Sequence, residues 1–350
     1  MRAKSAVAGI IVVACSVSIG AQWPKHQESG LPRDAQGDVR MDAPTPRTPD
    51  GKPDFSGVWQ RAESGPPRGR GRGGRQGEGG GAQGRGGQAP GGQALGEQVP
   101  GGQAPGGQGA PAAAGGREGG DTNAPFAGGR GGVQLEPQTE RFPFDPSGPP
   151  VATFFEAGGN MEGGLPYTPW AADIRKARFA LQARDNPDAM CMPMGFLQFH
   201  QQPQPRKIIQ TSKLILIEYE ANYGLRHIYL DGRPLPPQGE PQPWWYGYSV
   251  GRWDGDTLVV ETNNLRGAED GPSDGWLDVN GSPYSQQAKF TERFRRPTFG
   301  RLQIDLTLED PKAYTKPWTV RVDQRFRPDE ELIEFVCNEN QQFRQRIKID

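Results

Sequence analysis

Apolar and polar side chains alternate through the second half of the chain. Over residues 301–309 leucine or isoleucine occupies every second position, a period typical of a strand with one buried face. Asp254-Gly255 predicts a type I′ turn between two such strands. Sequential strands joined by short turns favour an all-β fold, an antiparallel meander that closes into a lipocalin-like β-barrel. Further strands are predicted over 207–211, 213–220, 225–231, 246–253, 256–262, 288–296, 318–326, 332–337 and 343–349.

One stretch has a helical period instead. Thr168 at the N-cap and Pro169 at the first helical position predict a helix over 169–184. Because side chains three and four residues apart share a helix face, one apolar stripe is expected to pack on the barrel. The residues of this stripe are Trp170, Ile174, Ala177 and Leu181.

Composition divides the chain into dissimilar parts. Gly (51 residues) and Pro (35 residues) are abundant, and only 33% of the chain is hydrophobic, because residues 63–136 are rich in Gly, Gln, Pro and Arg. Such a segment buries too little apolar surface to offset the entropy of ordering, which predicts a disordered insertion. The remaining parts are a signal peptide (1–21), an extended tether (22–53), a first barrel strand (54–62) and the barrel domain (137–350).

The N-terminus predicts export. Arg2 and Lys4 precede an apolar run that ends in small residues at Ala21, as in secretory signal peptides, so the expected location is periplasmic or extracellular. Residues 12–15 (VVAC) resemble a lipobox, and an outer-membrane lipid anchor on Cys15 is the alternative. No other segment has the roughly 20 apolar residues that a transmembrane helix requires.

Cysteine, histidine and charge exclude several functions. Cys191 and Cys337 could form a disulfide in an oxidising compartment, or remain as two buried thiols. The net charge of −1 argues against a nucleic-acid partner, and neither a zinc motif nor a phosphate-binding loop is present, so no cofactor is predicted. The sequence does not indicate an oligomeric state.

One group of soft ligands has two interpretations. Simple packing is one, and a copper site is the alternative, for Met190, Met192, Met194 and His200.

Aromatic residues concentrate around the predicted hairpin. Aromatic faces stack on sugar rings and flat apolar molecules, so a cavity lined by these residues would bind such a ligand, while a barrel core is the alternative. The candidate ligand-binding residues are Arg226, His227, Tyr229, Trp244, Trp245, Tyr246, Tyr248, Trp276 and Trp318.

Carboxylates on the strands suggest acid–base chemistry. Glu292 lies between Phe290 and Phe294 on one strand face, which predicts either an ion pair with a neighbouring arginine or a shifted pKa. Three hypotheses follow: a barrel that binds a small apolar or aromatic ligand or a glycan, a cavity enzyme (hydrolase, isomerase or lyase), or a cell-envelope interaction protein. The candidate catalytic residues are Glu218, Glu220, His227, Glu261 and Glu292.

Two resemblances add to these expectations. Residues 57–59 (GVW) resemble the Gly-X-Trp signature of lipocalin-like (calycin) barrels, which implies that Trp59 plugs one barrel end beneath an arginine from a late strand. Residues 245–262, 291–296 and 310–318 are similar to a large family of exported bacterial proteins of uncharacterised function, over roughly 54–60 and 190–340. That family implies no activity. Its members carry histidines near the positions of Tyr284 and Lys289, which this chain lacks.

Overall fold

The computed structural model describes residues 27–62, 142–143, 145–239 and 242–337. The predicted signal peptide, the insertion over 63–136 and the predicted strand over 343–349 lie outside these residues. Nine strands close into one barrel in chain order. They are β1 (Gly57–Arg61), β2 (Arg206–Gln210), β3 (Leu214–Tyr219), β4 (Gly224–Tyr229), β5 (Tyr248–Asp254), β6 (Thr257–Asn263), β7 (Lys289–Thr298), β8 (Arg301–Glu309) and β9 (Trp318–Phe326).

The barrel is mixed rather than wholly antiparallel. β4 and β5 are parallel, with Ile228 opposite Ser249 and Tyr229 opposite Val250, whereas the other neighbours are antiparallel. A parallel pair needs a crossover connection, and the long Pro-rich segment between β4 and β5 supplies it. The prediction of an antiparallel meander is therefore wrong at this junction.

The buried apolar face predicted for β8 is confirmed. Leu302, Ile304, Leu306 and Leu308 are each at most 1% exposed and form part of the core. The hairpin between β5 and β6 differs in detail, because Asp254 pairs with Thr257 and the turn is shifted by one residue. Glycine alone takes a positive φ there (+59° at residue 255), which fits a type II′ turn rather than type I′.

The described residues that follow β9, 327–337, do not form a strand. β1 pairs with both β2 and β9, so the barrel has no edge for residues 332–337 to join. The predicted strand over 332–337 is wrong for this reason.

Residues 27–53 form no free tether, which contradicts the prediction for this part of 22–53. Ala43 is buried in the core, and its carbonyl oxygen accepts a hydrogen bond from the Phe299 amide (2.8 Å). The Met41 carbonyl oxygen likewise accepts from the Gly300 amide (2.9 Å). The segment therefore satisfies the backbone of the β7–β8 turn, which would otherwise be hydrated.

Helix α1 (Pro169–Ala180) begins as predicted, with the Thr168 side chain accepting a hydrogen bond from the Ala171 amide. It ends before residue 184, and most of the predicted apolar stripe faces away from the core, since Trp170 packs against the core but Leu181 is 39% exposed. The buried side chains of α1 are Ala171 and Arg178. In the described part of the chain, no helix has the length and hydrophobicity needed to cross a membrane.

Arg178 explains why α1 is rotated. Its guanidinium donates hydrogen bonds to the carbonyl oxygens of Asp274 (2.6 Å) and Gly275 (2.9 Å), and its Cζ lies 4.3 Å from the centre of the Trp276 ring. A buried arginine with carbonyl partners thus determines the inward face, which a hydrophobic pattern cannot detect.

Candidate functional site

The chain between β1 and β2 sends a short plug, residues 194–201, against the inward-facing side chains of β3, β4 and β7. Its last turn is α2 (Gln198–Gln201). The rings of Phe196 and Phe290 stack with centroids 4.1 Å apart, and Phe199 packs 4.8 Å from Tyr219. The plug side chains are at most 3% exposed, so the barrel interior is filled by the chain itself at this level.

Several contacts fix the plug in one position. A Cβ atom on Gly195 would lie 1.8 Å from the Trp276 carbonyl oxygen, so only glycine fits there. Leu197 has φ +76° and ψ −47°, close to a strained γ-turn. The carbonyl oxygen of His200 accepts hydrogen bonds from Arg206 (2.8 Å) and Gln324 (3.0 Å). These two hydrogen bonds fix the backbone of His200, and the fixed backbone in turn holds the imidazole in place.

A buried triad lies where the plug meets β4 and β7. Glu292 Oε1 accepts hydrogen bonds from His200 Nε2 (2.8 Å) and Arg226 Nη1 (3.1 Å). Arg226 Nη2 bonds Glu292 Oε2, which completes a bidentate ion pair. The side chains of all three residues are at most 1% exposed.

Polar and aromatic neighbours surround the guanidinium of this triad. Arg226 Nη2 also donates to Ser249 Oγ and Thr262 Oγ1, each at 3.1 Å, and these two hydroxyls lie 2.8 Å apart. Arg226 Cζ lies 4.7 Å from the centre of the Phe196 ring and 5.6 Å from that of Phe199. The cation is thus hydrogen-bonded in its plane and covered by rings on its face.

Burial and charge determine the protonation of the triad. Burial alone would raise the pKa of Glu292, but Arg226 and the hydrogen bond from His200 outweigh it and lower that pKa to about 2. Burial lowers the pKa of His200 to about 4, and the neighbouring carboxylate offsets only part of this effect. At neutral pH the glutamate is therefore ionised and the histidine is neutral.

A neutral His200 that donates from Nε2 to Glu292 carries its lone pair on Nδ1. This Nδ1 atom is buried and has no hydrogen-bond partner among the described residues. The Tyr219 hydroxyl is also buried and has no hydrogen-bond partner of good geometry among the described residues. Burial raises its pKa, and the nearby charge of Arg226 opposes this effect. The Nδ1 acceptor of His200 and the phenol of Tyr219 thus lie close together among aromatic side chains.

Tyr246 forms the outer limit of this interior cluster. It is partly exposed, and its ring stacks on Tyr219 with centroids 5.9 Å apart. Its hydroxyl has no hydrogen-bond partner among the described residues, and a Cβ atom on Gly224 would lie 2.3 Å from it. Tyr246 therefore connects the solvent-facing side of the cluster with its buried centre.

The predicted ligand-binding residues separate into different places. Because neighbouring strand residues point to opposite faces, Arg226 is inside and His227 is exposed outside. The prediction that Arg226 and His227 line one cavity is therefore wrong. Trp245 lies under Arg266 (4.7 Å), Trp276 packs on α1, and Trp318 contacts Tyr314 (5.4 Å between centroids). The residues that join His227 on the outer surface are Tyr229, Trp244 and Tyr248.

The other candidate carboxylates are not part of the triad. Glu218 is exposed on the outer face of β3. Glu261 pairs with Lys289 at 3.0 Å in a partly exposed ion pair. Glu220 accepts a hydrogen bond from the Ile333 amide (3.0 Å), and burial raises its pKa. Glu292 does form the expected ion pair, but its partner comes from β4 and not from the arginines near it in sequence.

Cys191 and Cys337 are joined by a disulfide with Cα atoms 5.5 Å apart. Cys191 is therefore not available as a thiolate ligand. Met194 and His200 both belong to the plug, while Met190 and Met192 are partly buried in the preceding loop. Across the described residues, no group of three or more His, Cys, Asp and Glu side chains is arranged to hold a metal ion. The copper alternative stays a prediction.

Trp59 is fully buried, and Arg296 of β7 lies over it with Cζ 4.8 Å from the ring centre. This is the contact that the resemblance to lipocalin-like barrels implies. No family model, curated protein or solved structure matches this chain.

Proposed function

We propose that this protein is exported and binds a small aromatic or apolar molecule inside its barrel, where a hydrogen-bond donor of the ligand meets His200. The observation that carries the proposal is the buried Nδ1 acceptor, which Glu292 orients and which has no partner among the described residues. Buried polar groups are usually hydrogen-bonded in folded proteins, and this acceptor differs from other unpartnered buried atoms of the described residues, such as Gln201 Nε2, because a carboxylate orients it and the Phe199 ring packs beside it.

Fold stability alone gives a poor account of the triad. A buried ion pair is often no more stabilising than apolar residues of similar volume, and the aliphatic core on β8 already holds the barrel together. Perturbed titratable groups that converge in one place are typical of functional sites. Phe199 and Tyr219 would supply the flat apolar contact that most small-molecule sites require.

Entry would begin at Tyr246, the partly exposed member of the stacked pair with Tyr219. Because the plug fills the barrel around His200, the ligand would take the volume that the Tyr246 ring leaves when its side chain rotates away from Phe199 and Tyr219. The signal-like N-terminus and the disulfide between Cys191 and Cys337 support a location outside the cytoplasm.

Native mass spectrometry of the full chain, purified from the envelope of its own host, tests the proposal. We expect a retained molecule that is released on denaturation and is lost in His200→Gln and reduced in Tyr219→Phe. Arg252→Gln, an exposed change on β5, should keep it. A bare polypeptide mass, with no thermal stabilisation by a panel of phenols, indoles and aromatic alcohols, would contradict the proposal.

A cavity enzyme is the second candidate, favoured by one observation. A carboxylate that orients a neutral imidazole is the arrangement by which a histidine acts as general base. His200 Nδ1 would then take a proton from an O–H or an activated C–H group of the ligand, as hydrolases, isomerases and lyases require.

The retained molecule distinguishes the two candidates. If it is chemically converted on incubation with the protein, and the rate falls as the pH drops towards the pKa of His200 (about 4), the enzyme is supported. An unchanged molecule after prolonged incubation supports the binding protein.

A further inference from the structure

We infer that the outer surface of β4 and β5 is a second binding site, which takes an uncharged carbohydrate chain on a row of aromatic rings. The outer aromatic row consists of His227, Tyr229, Tyr248 and Trp244. It lies on the opposite side of the barrel wall from the triad and does not depend on the interior site.

The rings follow one another at similar spacing. Centroid distances are 6.2 Å from His227 to Tyr229, 5.3 Å from Tyr229 to Tyr248, and 5.6 Å from Tyr248 to Trp244. The row crosses the junction of β4 and β5, where parallel pairing places Tyr229 beside Val250 and so next to Tyr248. The unusual strand pairing thus joins rings from two strands and the preceding loop.

These rings contribute little to the core. Ile228 and Ser249, their neighbours in sequence, are the residues that point into the barrel. Trp244 is 44% exposed, and Leu225 on the same outer face of β4 is 46% exposed. Tyr229 and Tyr248 are partly exposed, and aromatic and apolar side chains that lie together at a surface are typical of a binding site.

The polar border indicates which kind of ligand fits. Arg233 forms a bidentate ion pair with Asp231, its Cζ lies 3.8 Å from the centre of the Tyr229 ring, and its Nη1 donates to the Tyr248 hydroxyl at 3.1 Å. The two charges of this pair cancel, so it adds no net positive charge beside the row that would favour an anionic membrane. The guanidinium covers one face of Tyr229, so sugar rings would stack mainly on Trp244 and Tyr248, and the polar groups of Arg233 and Asp231 beside them suit the sugar hydroxyls.

Isothermal titration calorimetry of the full chain, with cellobiose, cellohexaose and chitohexaose as probes, tests the inference. A hexasaccharide can cover several rings at once, so we expect at least one of the two to bind about tenfold or more tighter than the disaccharide. Trp244→Ala and Tyr248→Ala should each weaken hexasaccharide binding about two- to tenfold. Trp244→Phe, which keeps a ring, should restore part of the loss.

The matched control is Phe179→Ala on α1, because this ring is as exposed as Trp244 (44%) but lies outside the row. It should leave binding unchanged. The inference is overturned if neither hexasaccharide binds, or if the row variants lose no more than this control does. Binding to phosphatidylglycerol vesicles in place of sugars would overturn it too.

The two proposed sites fail independently. His200→Gln should abolish retention of the interior molecule and leave hexasaccharide affinity unchanged, whereas Trp244→Ala should do the reverse. Loss of hexasaccharide binding in a folded His200→Gln variant, checked by circular dichroism, would contradict a separate outer site.

Discussion

Replacing Glu292 by glutamine should destabilise the protein by several kcal/mol, although the side-chain shape is almost unchanged. The substitution leaves the Arg226 guanidinium as a fully buried cation without its counter-ion. Breaking a buried pair from one side costs about 3–5 kcal/mol. For a barrel of this size, a loss of 3 kcal/mol lowers the melting temperature by about 6–12 °C.

The pKa of Glu292 gives an independent value for the contribution of this ion pair to stability. It falls from 4.5 to about 2 on folding, and this lowering corresponds to about 3 kcal/mol of stability at neutral pH. Because the folded-state pKa is the lower one, this stability is fully present above pH 4.5 and is lost as the pH falls towards 2. The wild type and Glu292→Gln should therefore converge in acid.

Urea denaturation with the disulfide intact, followed by fluorescence at several pH values from 7 to 2.5, measures both effects. Glu261→Gln is the matched control on β6, because its ion pair with Lys289 is partly exposed and should contribute less than about 1 kcal/mol. A loss below about 1 kcal/mol in Glu292→Gln, or a difference that does not shrink in acid, would refute a buried ionised pair.

Three further predictions concern the plug and its supports. Because burial lowers the pKa of His200 to about 4, the wild-type free energy of unfolding should fall as the pH drops from 6.5 to 4, and His200→Gln should lack this slope; equal slopes would contradict a buried neutral histidine. Removing the disulfide by Cys191→Ser with Cys337→Ser opens a loop of 146 residues and should cost about 5 kcal/mol in urea denaturation; the wild type in reductant should match, and unchanged stability in both would count against the bond. Gly195→Ala should destabilise more than Gly224→Ala in the same assay, because the first clashes with the Trp276 backbone and the second with the side chains of Tyr246 and Tyr219; the reverse order would contradict a plug that is packed tightly against Trp276.

Local periodicity predicts most of this barrel. β8 and β9 begin and end where the alternation does, and Thr168 marks the start of α1. The ends of these strands and the start of this helix depend on residues that are close in sequence, within one element. The face of α1 was mispredicted because buried Arg178 finds carbonyl partners in a distant loop, and no local pattern encodes that contact.

The interior site was only partly accessible from the sequence. Glu292 stood out because it lies between phenylalanines, but its partners Arg226 and His200 become neighbours only when the barrel closes around the plug. The sequence did not predict that Ser249 contacts the triad, because the predicted register between β5 and β6 was wrong. The turn predicted at Asp254-Gly255 would place Ser249 opposite Val260, whereas the observed turn pairs it with Thr262.

Closure of the barrel by β1 has a kinetic consequence. Trp59 pairs with Arg206 on one side and with Phe326 on the other, so the first strand to be synthesised meets its last partner only after nearly the whole chain has been made. Contacts between residues so far apart in sequence slow folding and leave strand edges exposed to aggregation. Under the proposed export, the barrel could close only after β9 had left the membrane, and a truncation just before β9 should abolish closure altogether.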